Sequence, residues 1–250
     1  MALQEYVSST YGDRIAELYD SWYRDEPDTA GTVEALTRLA GPGPVLELGI
    51  GTGRIAIPLV ERGIEVHGIE LSEPMVERLR EKPLGRDIPV AMGDFGDVAV
   101  EGRYSLVFCV FSTFFCLPDQ ESQLRCFANV AAHLQPGGLF VTETIAPDLA
   151  RFERRQSVRI GEASADHVVL VATRVDPAAQ TLVMHRVMLS DTGVRVVPGV
   201  VRYAWPSEMD LMARMAGLRL RQRTQSWKGE PFTRKSTNHV SVYELDPGAR

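Results

Sequence analysis

An acid followed by three glycines at alternate positions is the part of this sequence best suited to chemistry. Glu47 ends a short apolar run, and Gly49, Gly51 and Gly53 come next. Glycine lets the backbone turn tightly and approach a ligand where a Cβ atom would clash. A helical pattern begins at Arg54, so the unpaired N–H groups of that helix would point toward the turn. This arrangement predicts a nucleotide-binding turn.

The spacing of these glycines also indicates which class of nucleotide is bound. Dinucleotide-binding turns follow G-x-G-x-x-G, and triphosphate-binding loops end in Gly-Lys-Ser/Thr. Here the third glycine comes one residue too early for the first pattern, and no Gly-Lys pair follows for the second. An acid at the end of the strand repels a pyrophosphate but suits a ligand that carries a positive charge. A glycine-rich turn in an unrelated α/β domain is the alternative at this point.

A second acid ends the next predicted strand. Residues 64–70 have the pattern of that strand, and Glu70 lies 21 positions after Gly49. In doubly wound folds an acid at about this distance hydrogen-bonds the ribose hydroxyls of the nucleotide. Ser72 is a suitable N-cap for the helix that follows, and a third short strand ends at Asp94. Three features in this order favour a nucleotide site over an unrelated turn.

Together, these acids and glycines resemble the motifs of class I S-adenosylmethionine (SAM)-dependent methyltransferases. SAM carries an ammonium and a sulfonium group, which suits an acid at the turn. The resemblance implies that Glu70 binds the ribose, that Asp94 meets the adenine amine and that a neighbouring apolar side chain covers the adenine ring. The cofactor-binding residues that it implies are Tyr11, Glu47, Gly49, Gly51, Gly53, Arg54, Glu70, Leu71, Met75, Asp94, Phe95 and Phe111.

The rest of the chain predicts an α/β fold. A continuous apolar run at 104–111 is typical of a central parallel strand, and residues 158–205, rich in Val, Thr and Arg, predict three or four antiparallel strands. With the resemblance, we expect a Rossmann-like seven-stranded sheet with an antiparallel β insert and an N-terminal helical lid. The four expected parts are the lid (1–40), the SAM-binding core (41–150), the insert (151–205) and a C-terminal helix and hairpin that complete the core (206–250).

Aromatic residues near the N-terminus allow two interpretations. Tyr19, Trp22 and Tyr23 fall on one face of a predicted amphipathic helix, and Tyr11 precedes them. Such a helix either packs on the domain for stability or closes the cofactor site, a role that suits the apolar body and polar tip of tyrosine. Phe115 follows a central strand at its carboxyl end, where ligands bind in open α/β sheets. It either forms a wall of the methyl-transfer site or belongs to the core.

The Tyr-Asp pair at 19–20, the Phe-Ser pair at 111–112 and the β-rich insert resemble a narrower group of bacterial enzymes. These are small N-methyltransferases that act on antibiotic amines and on nucleotide-linked amino sugars. The resemblance implies methyl transfer to an amine of a small-molecule natural product. Amino-sugar enzymes can carry a histidine after the Phe-Ser pair, whereas this chain has Cys116 there. The catalytic residues that the resemblance implies are Tyr11, Tyr19, Tyr23 and Phe115.

The chemistry of the acceptor leaves alternatives open. A free amine is already a good nucleophile, so its site mainly needs to orient and desolvate the reactants. A phenolic acceptor would need a general base, for which the sequence offers no clear candidate. A small-molecule O-methyltransferase is therefore the second hypothesis, and a non-catalytic SAM-binding module is the third.

Composition limits the partners. The 250 residues carry a net charge of −6, which argues against binding the phosphate backbone of a nucleic acid. The five histidines are scattered, so no metal site is expected. Three cysteines without C-x-x-C spacing predict free thiols in a reducing compartment. The absence of a signal sequence and of an 18-residue apolar run predicts a cytoplasmic protein without a membrane partner. The β-branched residues at 168–171 and 194–201 predict that the insert joins subunits of a homo-oligomer, and an insert that covers only its own pocket is the alternative.

Overall fold

A mixed seven-stranded sheet forms the centre of the protein. The computed structural model describes residues 9–23, 28–97 and 100–245. The strands in chain order are β1 (Val45–Leu48), β2 (Val66–Glu70), β3 (Val90–Met92), β4 (Tyr104–Cys109), β5 (Leu134–Ile145), β6 (Gln156–Ala163), β7 (His167–Asp176), β8 (Thr181–Ser190), β9 (Gly193–Arg202), β10 (Leu218–Thr224) and β11 (Asn238–Leu245). The α-helices are α1 (Thr10–Trp22), α2 (Thr29–Leu39), α3 (Ala56–Val60), α4 (Glu73–Glu81), α5 (Gln120–His133) and α6 (Pro206–Met215).

The strand order of the central sheet is β10-β11-β5-β4-β1-β2-β3. β11 runs antiparallel to β5 and β10, and the other neighbouring strands are parallel. All residues of β1 and β4 are buried, as a parallel strand with helices on both faces requires. The structure thus confirms the predicted seven-stranded α/β sheet.

Helices cover both faces of this sheet. Successive residues of a strand point to opposite faces, so Leu46 and Leu48 pack with α5 and α6, whereas Val45 packs with α2 and α3. The parallel strands β1, β2 and β4 end at one edge of the sheet. Ligands bind at this edge in open α/β folds, and the predicted acids lie there.

The insert forms a second, antiparallel sheet in the order β6-β7-β8-β9. Val171 and Val197 on its inner face are buried. Arg202, at the end of β9, fixes the base of the insert to the core. Its guanidinium pairs with Glu208 on α6 at 2.7 Å and donates to Gln123 on α5. The structure thus confirms the antiparallel insert of the predicted fold. The residue limits of the four expected parts of the chain stay a prediction.

Helix α1 packs separately from the two main layers of the core. Ile15 and Ala16 contact Met75 of α4 and Val197 of β9. Because α4 belongs to the core and β9 to the insert, α1 bridges these two parts of the protein. Part of the predicted lid, at 1–8 and 24–27, lies outside the described residues.

The structure corrects two local predictions. The helix after the glycine turn begins at Ala56 rather than Arg54, because residues 50–53 close a turn through the bond from Gly53 N to the oxygen of Ile50. The side chain of Ser72 does not cap α4, since its hydroxyl donates to Asp13 of α1 at 2.7 Å.

Among the helices of the described ranges, none combines the length and the apolar character that crossing a lipid bilayer requires.

Candidate active site

The glycine turn after β1 is held in place by the second predicted acid. One carboxylate oxygen of Glu70 accepts a hydrogen bond from Gly51 N at 2.9 Å. The other oxygen accepts from the N–H groups of Leu71 at 3.0 Å and Ser72 at 2.9 Å. Burial raises the pKa of Glu70, and these three N–H groups act in the opposite direction. A carboxylate has about four acceptor positions, so Glu70 retains the capacity to accept from a ribose hydroxyl.

The three glycines of the turn serve different purposes, although all have left-handed φ values of +72°, +55° and +82°. A Cβ atom added at Gly49 would lie 2.4 Å from the side chain of Thr113, and one added at Gly53 would lie 2.4 Å from Leu79. At Gly51, no described atom lies within 4 Å of that position. Gly49 and Gly53 therefore allow close packing, whereas Gly51 lies on the open side of the turn, where a ligand can approach.

Glu47 is a buried acid beneath this turn. It is 3% exposed, and its Oε2 atom has no hydrogen-bond partner among the described residues. Burial raises the pKa of Glu47 to about 8, although the nearby Arg54 guanidinium acts to lower it. A carboxylate in such surroundings is stabilised by a further positive charge. The positive groups of SAM fit this acid, and the open side of Gly51 fits a close approach of the cofactor.

The other predicted cofactor residues differ in their exposure. Asp94 follows β3, and its carboxylate accepts a backbone hydrogen bond at 2.7 Å from two residues further on. Phe95 is buried beside the turn, with its ring 3.9 Å from the Cβ position of Gly49. Leu71 is exposed at the end of β2, whereas Met75 is buried beneath α1. The structure therefore gives Met75 a packing role, and its contact with the cofactor stays a prediction.

An acid next to Tyr19 attaches α1 to the glycine turn. Asp20 accepts a hydrogen bond from the Thr52 hydroxyl at 2.6 Å and forms an ion pair with Lys82 Nζ at 2.6 Å. Lys82 Nζ also donates to the carbonyl oxygen of Thr52 at 2.7 Å. We call these three residues the Asp20 clasp. Because Thr52 lies between two of the glycines, the clasp links the position of α1 to the shape of the turn.

The three predicted catalytic tyrosines come together on α1 and at its end. The hydroxyl oxygens of Tyr11 and Tyr23 are 3.0 Å apart, and the ring centroids of Tyr19 and Tyr23 are 4.7 Å apart. Burial raises the pKa of Tyr11 far above its usual range and raises the pKa of Tyr19 to about 12. The hydroxyls of Tyr11 and Tyr19 therefore keep their protons at neutral pH.

Phe111 lies in a strained turn at the end of β4. Its φ is 58°, and that of Ser112 is 62°, a region that non-glycine residues seldom occupy. Glu143 of β5 holds this turn, because its carboxylate accepts a hydrogen bond from Phe111 N at 3.0 Å. The Phe111 ring contacts the Tyr23 ring with centroids 5.0 Å apart, and the Arg54 guanidinium lies 4.7 Å from its centroid. Phe111 thus joins α1 to the edge of the sheet.

Phe115 does not lie with the tyrosines. It is fully buried in the core cluster that includes Phe114 and Phe127. A side chain with no exposed surface cannot form a wall of an open site, so the structure supports the core interpretation of this residue. Cys116, which follows it, is exposed.

Sequence reasoning missed several residues that shape the site. Glu143 carried a usable signal, because it is an acid near the carboxyl end of an apolar strand, like Glu47 and Glu70. Lys82 and Arg186 carried none. Their contacts, with Thr52 and with aromatic rings of α1, join parts of the chain that are far apart in sequence.

We predict that SAM binding near neutral pH releases a proton from Glu47. With a pKa of about 8, this buried carboxyl is largely protonated at lower pH, and a bound cation favours its ionised form. Binding should therefore tighten as the pH rises toward about 8. Calorimetry in buffers of different ionisation enthalpy measures the protons released, and Glu47→Gln should remove most of them. Glu143→Gln, which alters another acid at the same edge, is the matched control. Equal proton release by the parent and Glu47→Gln would contradict the prediction.

The chain is similar to known methyltransferases over nearly its whole length. A family model described as a methyltransferase domain matches residues 45–138. The cypemycin N-terminal methyltransferase of a Streptomyces species is 30% identical over 245 residues, which cover 94% of this chain and 98% of the relative. The dTDP-3-amino-3,6-dideoxy-alpha-D-glucopyranose N,N-dimethyltransferase of Streptomyces fradiae is 32% identical over 139 residues, which cover 53% of this chain and 54% of the relative.

A solved structure extends this similarity to the fold. The CcbJ methyltransferase from Streptomyces caelestis superposes with a TM-score of 0.91 at 42% sequence identity, over 96% of this chain and 100% of that one. The resemblance found in the motifs is thus confirmed by sequence and by fold. The chain therefore belongs to the class I SAM-dependent methyltransferases, and it is an enzyme whose methyl donor is SAM.

Proposed function

We propose that the methyl acceptor is an amine of a small-molecule natural product, in antibiotic or amino-sugar biosynthesis. The names of two relatives support this proposal. One is an N-terminal methyltransferase of cypemycin, and the other is an N,N-dimethyltransferase of a dTDP-linked amino sugar. Both names describe transfer to nitrogen.

Residues at the edge of the sheet are proposed to hold the cofactor. Glu47 would balance its positive charge, Gly51 would allow its close approach, and Glu70 would accept hydrogen bonds from its ribose. Asp94 would meet its adenine amine. Bound SAM supplies an electrophilic methyl group on a sulfonium centre. The protein then has to bring a nucleophile into line with that group and exclude water, which are the contributions of proximity and orientation.

The observation that carries the proposal is the pair of tyrosine hydroxyls, since the oxygens of Tyr11 and Tyr23 lie 3.0 Å apart and neither has a base beside it among the described contacts. Burial, and then the neighbouring Tyr23, hold the pKa of Tyr11 far above its usual range. A phenolate that could act as a base is therefore not available on Tyr11 near neutral pH. A neutral amine needs no base before it attacks, whereas a hydroxyl acceptor has to lose its proton. The oxygen atoms of Tyr11 and Tyr23 can accept an N–H hydrogen bond and orient the nitrogen, so this site suits an amine.

The histidines give no alternative base beside the tyrosines. Burial lowers the pKa of His239 to about 4, and His185 is exposed in the insert. His239 contacts Thr144 and Ser241. The remaining three have side-chain partners of their own: His67 contacts Tyr104, His133 contacts the Asn129 carbonyl, and His167 contacts Ser164. Among the described residues, no group of three or more His, Cys, Asp or Glu is placed to hold a metal ion.

Helix α1 is proposed to close the site as a lid. The Asp20 clasp attaches it to the glycine turn, and the contact between Tyr23 and Phe111 attaches its end to the turn after β4. A helix fixed at both turns would cover the edge of the sheet that lies between them. Closing that edge would remove water from the reacting groups and restrict the approach of the amine.

The outer face of the insert is proposed to join two copies of this chain, which we expect in the cytoplasm. Residues directly paired in antiparallel strands point to the same face. Ile160, Leu170, Val187 and Val196 are paired in this way across β6 to β9. Ile160 is 66% exposed and Val196 45%, so the face is apolar and uncovered. A self-complementary apolar face fits the two-fold contact of a homodimer.

N-methylation predicts a specific pH dependence. For paired acceptors that differ only in an amino or a hydroxyl group, methyl transfer should occur with the amine and not with its hydroxyl partner. kcat/KM for the amine should rise with pH as the acceptor loses its proton, and the pH profile should show no ionisation of Tyr11. EDTA should leave kcat/KM unchanged. Mass spectrometry of the product measures the transfer. Preferential methylation of the hydroxyl partner, or loss of activity in EDTA that magnesium restores, would disprove N-methylation without a metal.

Removal of the tyrosine hydroxyls is expected to lower turnover. Tyr11→Phe and Tyr23→Phe both break the same hydroxyl contact, so each should lower kcat by about tenfold, and the double variant should lose little more. Tyr19→Phe should lower kcat to a similar extent. Tyr104→Phe is the matched control and should retain kcat. It removes a buried tyrosine hydroxyl on β4, which donates to the Glu101 carbonyl oxygen at 3.2 Å. Thermal melting separates effects on turnover from effects on stability. If all three lid variants kept the parent turnover, α1 would have only a packing role.

The insert contact predicts a dimer that a buried charge disrupts. Light scattering of the parent should give twice the mass of the chain, and Ile160→Glu should give the mass of one chain, because an unpaired charge in an apolar contact is costly. Met215→Glu, at a residue that is 72% exposed on α6, is the matched control and should remain a dimer. A monomeric parent at working concentration would show that the insert covers only its own subunit.

A further inference from the structure

Arg186 occupies an unusual place on the inner face of the insert. It lies on β8, and its paired neighbours across the sheet are Val171 of β7 and Val197 of β9. Both valines are buried, with exposures of 6% and 3%. Because paired residues share a face, the Arg186 side chain projects between two buried apolar residues on the side of the insert that faces α1. A solvated arginine would be expected on the opposite face.

The guanidinium of Arg186 lies over two aromatic residues at the end of α1. Its central carbon is 4.9 Å from the ring centroid of Trp22 and 5.6 Å from that of Tyr23. The same inner face reaches Tyr11, since a Cβ atom at Gly199 would lie 3.7 Å from the Tyr11 ring. The positive charge therefore stands beside the hydroxyl pair that is proposed to orient the amine.

The Arg186 guanidinium has no ion-pair partner in the part of the chain that the structure describes. Arg202 and Arg223 each pair with a carboxylate, at 2.7 and 2.6 Å, whereas Arg186 forms neither an ion pair nor a hydrogen bond with any described residue. Aromatic rings attract a cation but accept none of the five N–H bonds that a guanidinium can donate. A partly buried guanidinium with unused donors is a site for a planar or tetrahedral anion.

We propose that Arg186 binds a carboxylate or phosphate group of the methyl acceptor, so that the enzyme selects amines that also carry an anionic group. This inference rests on the proposed function, because it places the acceptor nitrogen at the tyrosine pair. Since Tyr23 contacts both Tyr11 and the Arg186 guanidinium, the amine and the anion belong to one compact acceptor. The net charge of −6 would not attract such a molecule from a distance, so its selection would depend on local positive charge at the site, which Arg186 supplies on the insert side.

Binding of simple probes tests the proposal without knowledge of the natural acceptor. Benzoate and phenyl phosphate present the two anions on an aromatic body that suits the rings of α1, and benzamide is the neutral equivalent. Calorimetry with the protein saturated in S-adenosylhomocysteine should show that at least one anion binds about tenfold more tightly than benzamide. Which anion binds better identifies the chemical source. Arg186→Met should abolish the difference between anion and amide, and Arg186→Lys should keep part of it.

A second arginine of the insert provides the matched control. Arg195 lies on β9, and its guanidinium already donates to the carbonyl oxygen of Arg14 at 2.9 Å. Arg195→Met removes the same charge from the insert and should leave the preference for anions unchanged. Equal loss in both variants, an unchanged preference in Arg186→Met, or a parent that binds none of the three probes or binds all three equally would overturn the proposal. A lower melting temperature of Arg186→Met with unchanged probe preference would assign the residue to the packing of α1.

Turnover separates this inference from the proposed function. Amine acceptors offered as a free carboxylate and as the corresponding amide should differ in KM for the parent and be equal for Arg186→Met. If the parent methylates amides and carboxylates equally, the inference fails and N-methylation stands. If the parent binds SAM and the anionic probes but methylates only hydroxyl acceptors, the assignment of nitrogen fails and the anion site stands.

Discussion

The glycine turn after β1 depends on two carboxylates from different parts of the chain. Glu70 of β2 accepts from Gly51 N, and Asp20 of α1 accepts from the Thr52 hydroxyl. A turn of three glycines with positive φ has little rigidity of its own, because glycine loses more conformational freedom on folding than other residues. A hydrogen bond to a charged group contributes about 1.5–3 kcal/mol, so two such bonds restrict the turn substantially. The Glu70 bond contributes more, because Asp20 is 47% exposed and its ion pair is screened by water.

The proposed acceptor side of the site follows from this constraint together with the position of the insert. Tyr11 and Tyr23 stand at the two ends of α1, and their hydroxyls meet 3.0 Å apart. Their partners come from elsewhere: Phe111 from the strained turn after β4, and Arg186 from β8. The buried ion pair between Arg202 and its carboxylate partner holds the base of the insert, and through it the position of Arg186. The proposed cofactor side is thus built on one edge of the sheet, whereas the proposed acceptor side is assembled from three separate parts of the chain.

This difference explains how much could be predicted from the sequence. The motif around Glu47 and the acid at Glu70 are local, and neighbouring residues determine the backbone conformation that they require. The fold and the cofactor could therefore be predicted. Lys82 and Arg186 have no such signal, because each acquires its role from a partner distant in sequence. The role of Phe115 could not be predicted either, because it also depends on residues distant in sequence. An apolar residue at the end of a strand suits a binding wall and a core equally, and only the packing of α5 against the sheet places it in the core.

The contacts that hold α1 are of the kind that can be broken locally. Its buried residues Ile15 and Ala16 form a small cluster with Met75 and Val197, separate from the two layers that cover the sheet. Its ion pair with Lys82 is partly exposed, so it contributes little when screened by water. Segments with few buried apolar contacts open with a free energy well below that of global unfolding. A methyltransferase has to admit SAM and release its product at every turnover, and with α1 as the proposed lid both would pass the edge of the sheet beside this helix. The weak attachment of α1 therefore fits the proposed lid, whereas a helix that only stabilised the fold would gain from burial in one of the main layers.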